Sequence, residues 1–218
     1  FAFDTETTGL NYMDAEIVGV SICTTPGQAA YIPFGHDYPE APQQLEQSDV
    51  LDQLSVFLND PKKLVIGQNL KFDLSILARY GRTINAPIAD TMLESYVYNS
   101  VATRHNMDDL AQKYLGRKTV KFDEIAGKGV KQRTFNQIEL EAAGHYAAED
   151  ADITFQLHEA LWPKISGDNR LLPVYQNLEV PLIRVLSQIE RNGVLIDCKM
   201  LETQSEEITR ELADLTVT

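Results

Sequence analysis

The chain begins with an apolar run, Phe1-Ala2-Phe3, that ends on Asp4-Thr5-Glu6. In a strand successive side chains point to opposite faces, so residues two apart share a face. The Asp4 and Glu6 carboxylates therefore stand side by side at a strand terminus, where Gly9 soon breaks the pattern. Neighbouring anions repel unless one takes up a proton or a cation sits between them. A hard divalent ion resolves the conflict, because Mg²⁺ and Mn²⁺ prefer carboxylate oxygens. A solvated strand end is the competing reading of this tripeptide taken alone.

The spacing of apolar residues predicts further strands over Glu16–Thr24, Ala29–Pro33 and Leu64–Gly67, with a hairpin turn at Thr25-Pro26-Gly27-Gln28. Helices are predicted over Val50–Leu58 and from an Asn69 N-cap to about Tyr80. Others follow over Asp90–Asn99, Met107–Tyr114, Gln137–Leu161 and Leu178–Asn192. Pro163 and the cluster Ser166-Gly167-Asp168-Asn169 mark the clearest boundary, after which two long helical patterns flank a short insert, Gly193–Asp197. Strands first and helices afterwards imply an α/β fold, a mixed sheet flanked by helices. The abrupt start in a strand-like run and the stop in a helix-like one suggest a fragment.

Two further acidic sites stand out. Asp73 falls in the first turn of the helix that follows Asn69, where the helix dipole favours an anion, and a capping-turn role is its default reading. In Tyr146-Ala147-Ala148-Glu149-Asp150, Tyr146 and Asp150 lie four apart on one helical face, with two alanines leaving room for something bulky. Taken alone, this third cluster could equally be a surface acidic turn with a Tyr packed behind it.

Composition sets limits. The 44% hydrophobic content of these 218 residues suits a folded chain, and no apolar run approaches the roughly 20 residues that span a bilayer. Cys23 and Cys198 lie far apart and read as reduced, small hydrophobes of a cytosolic protein. The net charge of −13 argues against a surface that coats nucleic acid. Basic residues are concentrated locally, however: Lys113 to Arg133 carries seven against Asp123 and Glu124, which suggests a loop that meets phosphate.

Asp-x-Glu on a strand, a distant Asp at a helix start and Tyr-x-x-x-Asp on a late helix resemble the DEDD 3′–5′ exonucleases, in their tyrosine (DEDDy) branch. Phe3-Asp-Thr-Glu-Thr7, Gly67-Gln-Asn-Leu-Lys-Phe-Asp73, Asp90-Thr-Met-Leu-Glu-Ser-Tyr96, Glu124-Ile-Ala-Gly-Lys-Gly129 and Tyr146-Ala-Ala-Glu-Asp-Ala-Asp152 resemble the proofreading domain of bacterial DNA polymerase I. Gln188–Asp197 resembles the start of that enzyme's polymerase region. His145, five before Asp150, fits the spacing of the histidine branch. Five residues turn about 500°, so it stands roughly 140° from Asp150, whereas Tyr146 is about 40° away. His145 is therefore read as an exposed neighbour.

The resemblance implies a ribonuclease H-like fold over residues 1–166 and the helical start of a polymerase thumb over 167–218. It implies two divalent ions, Mg²⁺ or Mn²⁺, with Asp4 bridging them, Glu6 and Asp150 holding the first and Asp73 supporting the second. Tyr146 would orient the attacking water with Glu6. Leu10 would wedge between terminal bases, Phe122 would pack on the last base, and Asn69 and Arg104 would touch the strand or its phosphates. The implied partners are a single-stranded DNA 3′ end or frayed primer terminus and a polymerase domain in cis, in a monomer of the bacterial cytoplasm with no membrane contact. Phe72 departs from the pattern, standing where a Tyr is common. Two alternatives stay open: an exoribonuclease, which would differ in its use of the 2′-hydroxyl, and a non-catalytic scaffold that guides DNA.

Overall fold

The computed structural model describes residues 1–216. Five strands form one sheet: β1 (Ala2–Thr7), β2 (Ile17–Thr25), β3 (Gln28–Pro33), β4 (Val65–Gly67) and β5 (Ile88–Asp90), in the order β3-β2-β1-β4-β5. The pairs β1–β2 and β2–β3 are antiparallel, whereas β1–β4 and β4–β5 are parallel. This is the ribonuclease H-like mixed α/β arrangement expected. The β2–β3 hairpin turns on Pro26-Gly27, with Gly27 at φ +77°, a conformation that a side chain would strain.

The helices are α1 (Gln47–Leu58), α2 (Leu70–Arg79), α3 (Thr91–Tyr98), α4 (Met107–Leu110), α5 (Phe122–Ala126), α6 (Leu140–Ser166), α7 (Leu171–Val174), α8 (Val180–Asn192) and α9 (Cys198–Thr216). Alternation along the strands divides the core in two. Phe3, Val65 and Ile88 face α1 and α2, among Leu51, Leu54, Leu70 and Leu77. Ala2, Ile66 and Ala89 face the other way, against Ala151 of α6. Ala143, Ala147 and Ala151, spaced by four and fully buried, form a small-residue stripe that lets α6 lie close on the sheet. Ala147 is thus spent on packing and does not leave room for a ligand, contrary to the sequence expectation.

Several local expectations shift. β5 is absent from the sequence reading, and Asp90 caps α3 from its end, accepting from the Met92 and Leu93 amides. Asn69 occupies the N-cap position of α2 in a left-handed conformation (φ 61°), but its side chain caps nothing. The Asp90 carboxylate does that work as well, accepting from the Asn69 and Leu70 amides at 3.2 and 2.7 Å. Helix α4 loosens into a π turn over Ala111–Leu115, and α6 begins at Leu140 because Phe135–Gln137 forms a 3₁₀ turn. Helix α6 runs past Leu161 and through Pro163 to end at Ser166, at the start of the Ser166–Asn169 cluster, and helical structure resumes at Leu171 rather than Leu178. Cys23 is buried as expected, whereas Cys198 is exposed at the start of α9. Among the described residues no helix is long and apolar enough to cross a membrane. Positions 217 and 218, the end of the expected second region, lie outside the described residues.

Candidate active site

The split between faces places the acids. Asp4 and Glu6 share the Ala2 face of β1 and so look toward α6, while Thr5 shares the Phe3 face and looks toward α2. From α6 comes Asp150: one carboxylate oxygen from each of Asp4, Glu6 and Asp150 falls within 4.8 Å of the others. From α2 comes Asp73, almost fully buried. Its Oδ1 accepts from the Thr5 amide at 3.0 Å and the Thr5 hydroxyl at 2.6 Å. Asp73 is therefore tied across to the central strand and is not a capping group for its own helix. It lies outside the trio that meets within 4.8 Å, but its charge reaches Asp4.

Burial, and secondarily the Asp150 charge, pushes the Asp4 carboxyl up to about 8. Burial raises Glu6 well above the usual range, reinforced by Asp4, Asp150 and Asp73. Burial raises Asp73 too, with Asp4 adding and the Thr5 hydrogen bonds opposing. For Asp150 burial raises the value to about 7, with the nearby Tyr146 hydroxyl opposing. Four carboxyl groups compete for too little solvation, and Glu6 Oε1 is buried with no hydrogen-bond partner. An unpaired buried oxygen on a carboxylate grouped with two others is the chemistry a hard divalent cation satisfies. Ligands opposite one another on a Mg²⁺-sized ion sit about 4.2 Å apart, so modest side-chain rotation closes the trio onto it. The donor set fits a divalent metal cofactor.

Tyr146 sits one turn before Asp150. Its ring packs at 6.2 Å from Phe122 and 6.1 Å from Phe135, and its hydroxyl faces Asp150. Burial, followed by the Asp150 and Glu6 charges, raises the Tyr146 phenol. It therefore stays a neutral donor, suited to holding a water and not to removing its proton. His145 is exposed.

Asp4, Glu6, Tyr146 and Asp150 line an open cavity of about 540 Å³, together with Leu10, Phe72, Phe122 and the segment Gln132–Phe135. Leu10, 92% exposed, projects at its rim. Asn69 lines a different groove, between α2 and α8, and Arg104 is exposed in the loop after α3, away from this cavity. The sequence reading did not single out Phe135 as a site residue. The only available signal was one aromatic residue among polar ones, and its packing against Tyr146 depends on a fold-back that spacing does not reveal. The basic stretch divides: Arg117 pairs with Asp152 at 3.1 Å, and Lys128 with Asp123 at 3.0 Å.

A 3′–5′ exonuclease family profile matches residues 1–166. The chain is 50% identical to DNA polymerase I of Pseudomonas aeruginosa and 37% identical to that of Rhizobium leguminosarum. Each match takes in 98% of the chain but only 24% and 22% of the relatives' length. In solved structures it is similar to the POL domain of Pol1 from M. smegmatis in complex with DNA primer-template and dNTP (TM-score 0.71, 21% identity, 98% of this chain and 32% of that one). It is similar also to Brucella melitensis NrnC (TM-score 0.66, 21% identity, 88% and 85%). At these identities the structural likenesses speak for the fold, while the family match covers most of the sequence: the chain belongs to the 3′–5′ exonuclease family.

Proposed function

We propose that the chain removes nucleotides from single-stranded or frayed DNA 3′ ends by metal-dependent phosphodiester hydrolysis, as the proofreading part of a bacterial DNA polymerase I. The convergence of Asp4, Glu6 and Asp150 within 4.8 Å, one turn from Tyr146 in an open cavity, carries this reading.

In it, Asp4, Glu6 and Asp150 would hold one divalent ion, and Asp73, braced by Thr5, would support a second together with Asp4. When bound, a pair of Mg²⁺ or Mn²⁺ ions would stabilise charge on the attacking and leaving oxygens. The protein's own groups do the positioning. Tyr146 donates its hydroxyl proton in a hydrogen bond to the attacking water, which Glu6 holds from the other side. Leu10 at the rim separates the last bases and Phe122 packs on the terminal one, so the strand is gripped by stacking with little sequence readout. Asn69 and Arg104 would reach only a strand that extends beyond the cavity. A mismatched terminus frays more readily and offers its single strand at lower cost.

Residues 1–166 form the nuclease in this reading and 167–218 begin the polymerase thumb. Exposed apolar residues on the last two helices, among them Leu186, Ile189, Ile208 and Leu212, support packing against further polymerase in cis. The protein would act as a monomer in the cytoplasm.

Labelled single-stranded DNA and RNA, incubated with and without Mg²⁺ or Mn²⁺, test the proposal. DNA should shorten from its 3′ end only with metal, and Asp4→Ala should abolish this while its circular dichroism stays native. Persistent cleavage by Asp4→Ala would overturn the metal assignment, and preference for RNA would overturn the substrate.

A further inference from the structure

A DNA 3′ end entering this cavity brings one phosphate charge per nucleotide into a space already lined by Asp4, Glu6 and Asp150. Divalent ions would answer the scissile linkage. The linkage behind it also needs a cation if it lies within the same space. Among the described residues, Arg133 is the one cationic side chain lining this cavity.

Arg133 is held in a way that suits a substrate contact. Its backbone is fixed: the Arg133 amide donates to the Ala126 carbonyl at 2.9 Å. Two residues on, Phe135 is buried, stacked on Phe122 at 6.5 Å and packed against Tyr146. The guanidinium is held loosely. It makes two hydrogen bonds of 3.4 Å, to the Gln137 and Ile125 carbonyls, both longer than good N–H···O bonds. Arg117 and Lys128 of the same basic stretch are committed to carboxylates, whereas Arg133 has no carboxylate partner among the described residues. A guanidinium is a forked donor that matches two phosphate oxygens at once.

We propose that Arg133 binds the phosphate next to the scissile linkage of a single-stranded 3′ end, making it a substrate-positioning residue of this site. The inference rests on the exonuclease reading above. It explains how an acidic protein admits a polyanion: one uncommitted cation stands beside the carboxylates, on a loop that the aromatic cluster around Tyr146 immobilises.

The test is steady-state hydrolysis of a labelled oligodeoxynucleotide with Mg²⁺ by wild type, Arg133→Gln and Arg133→Lys. It uses all-phosphate substrate and substrate with one neutral methylphosphonate at the linkage beside the scissile one. Arg133→Gln should raise KM roughly tenfold, as expected for one charged hydrogen-bonded contact, and change kcat less than about threefold. The slope of log KM against log salt should fall by about 0.7, the share of one phosphate contact on a single strand. Arg133→Lys should recover much of the loss. The methylphosphonate should raise the wild-type KM by a similar factor and add nothing to Arg133→Gln, because both remove the same interaction. Full additivity, an unchanged KM, or a loss confined to kcat and melting temperature would overturn the assignment. Failure of the wild type to cut the all-phosphate oligonucleotide would sink the exonuclease reading itself, a separable result.

Discussion

Replacing Asp150 with Asn should make the metal-free protein more stable while removing its activity. Asp4, Glu6 and Asp150 present oxygens within 4.8 Å of one another. At that separation two unit charges repel by about 3 kcal/mol at an effective dielectric constant of about 20, and by about 1 kcal/mol in water. The site is partly open to solvent, so we take about 2 kcal/mol, or roughly 4–8 °C in melting temperature for a chain of this length. Asparagine keeps the size and shape of the side chain beside Tyr146, so little packing is lost. The effect depends on pH. The folded Asp4 carboxyl is raised to about 8, above its unfolded value, by burial first and by the Asp150 charge second. A raised carboxyl contributes stability that is complete below its unfolded value near pH 4 and lost as pH climbs through about 8. In EDTA the wild type should therefore melt lower at pH 8.5 than at pH 6, and the variant should lose less over that interval. Near pH 5.5, with Asp4 protonated, the two should nearly coincide. Added Mg²⁺ should raise the wild-type melting temperature, since it binds only the folded state, and raise the variant's less. Scanning calorimetry in EDTA and in Mg²⁺ at the three pH values decides the matter. A variant that melts below wild type at pH 8.5 in EDTA, with an equal Mg²⁺ gain in both, would refute the crowding argument.

Two other substitutions probe the supports of the site. Tyr146→Phe keeps the ring in its cluster with Phe122 and Phe135 but removes the hydroxyl that faces Asp150. The rate of DNA hydrolysis at saturating Mg²⁺ should fall about 10- to 100-fold, with half-saturating metal within twofold of wild type. Asp90→Ala withdraws the acceptor that caps both α2 and α3, and should lower stability in urea by about 2 kcal/mol or more. Because α2 carries Asp73, the half-saturating Mg²⁺ concentration for hydrolysis should also rise, and an unchanged value would show that the cap does not position Asp73.

The local chemistry was legible because backbone geometry fixes it. Alternation along residues 1–6 placed Asp4 and Glu6 on one face wherever the strand went, and the helical period joined Tyr146 to Asp150 and set His145 apart. Motifs in order, from Asp4 to Asp152, carried the family resemblance. The three-residue strand Ile88–Asp90 was invisible because two apolar residues and an acid show no period. Asn69 has the right residue type for a cap, but the neighbouring Asp90 reaches the α2 amides first, and a charged acceptor holds them more strongly than an amide.

What remained belonged to tertiary structure. Sequence spacing cannot say that Thr5, 68 positions from Asp73, supplies two hydrogen bonds to it. That contact follows from a parallel pairing that sets β4 beside β1 and lays α2 across the Phe3 face. Nor can spacing distinguish Arg133 from the six other cations of its stretch. Arg117 and Lys128 meet carboxylates in the folded chain, whereas Arg133 meets the cavity. Periodicity governs which side chains share a face of one element, whereas the distances between elements follow from strand order and close packing, which no single segment encodes.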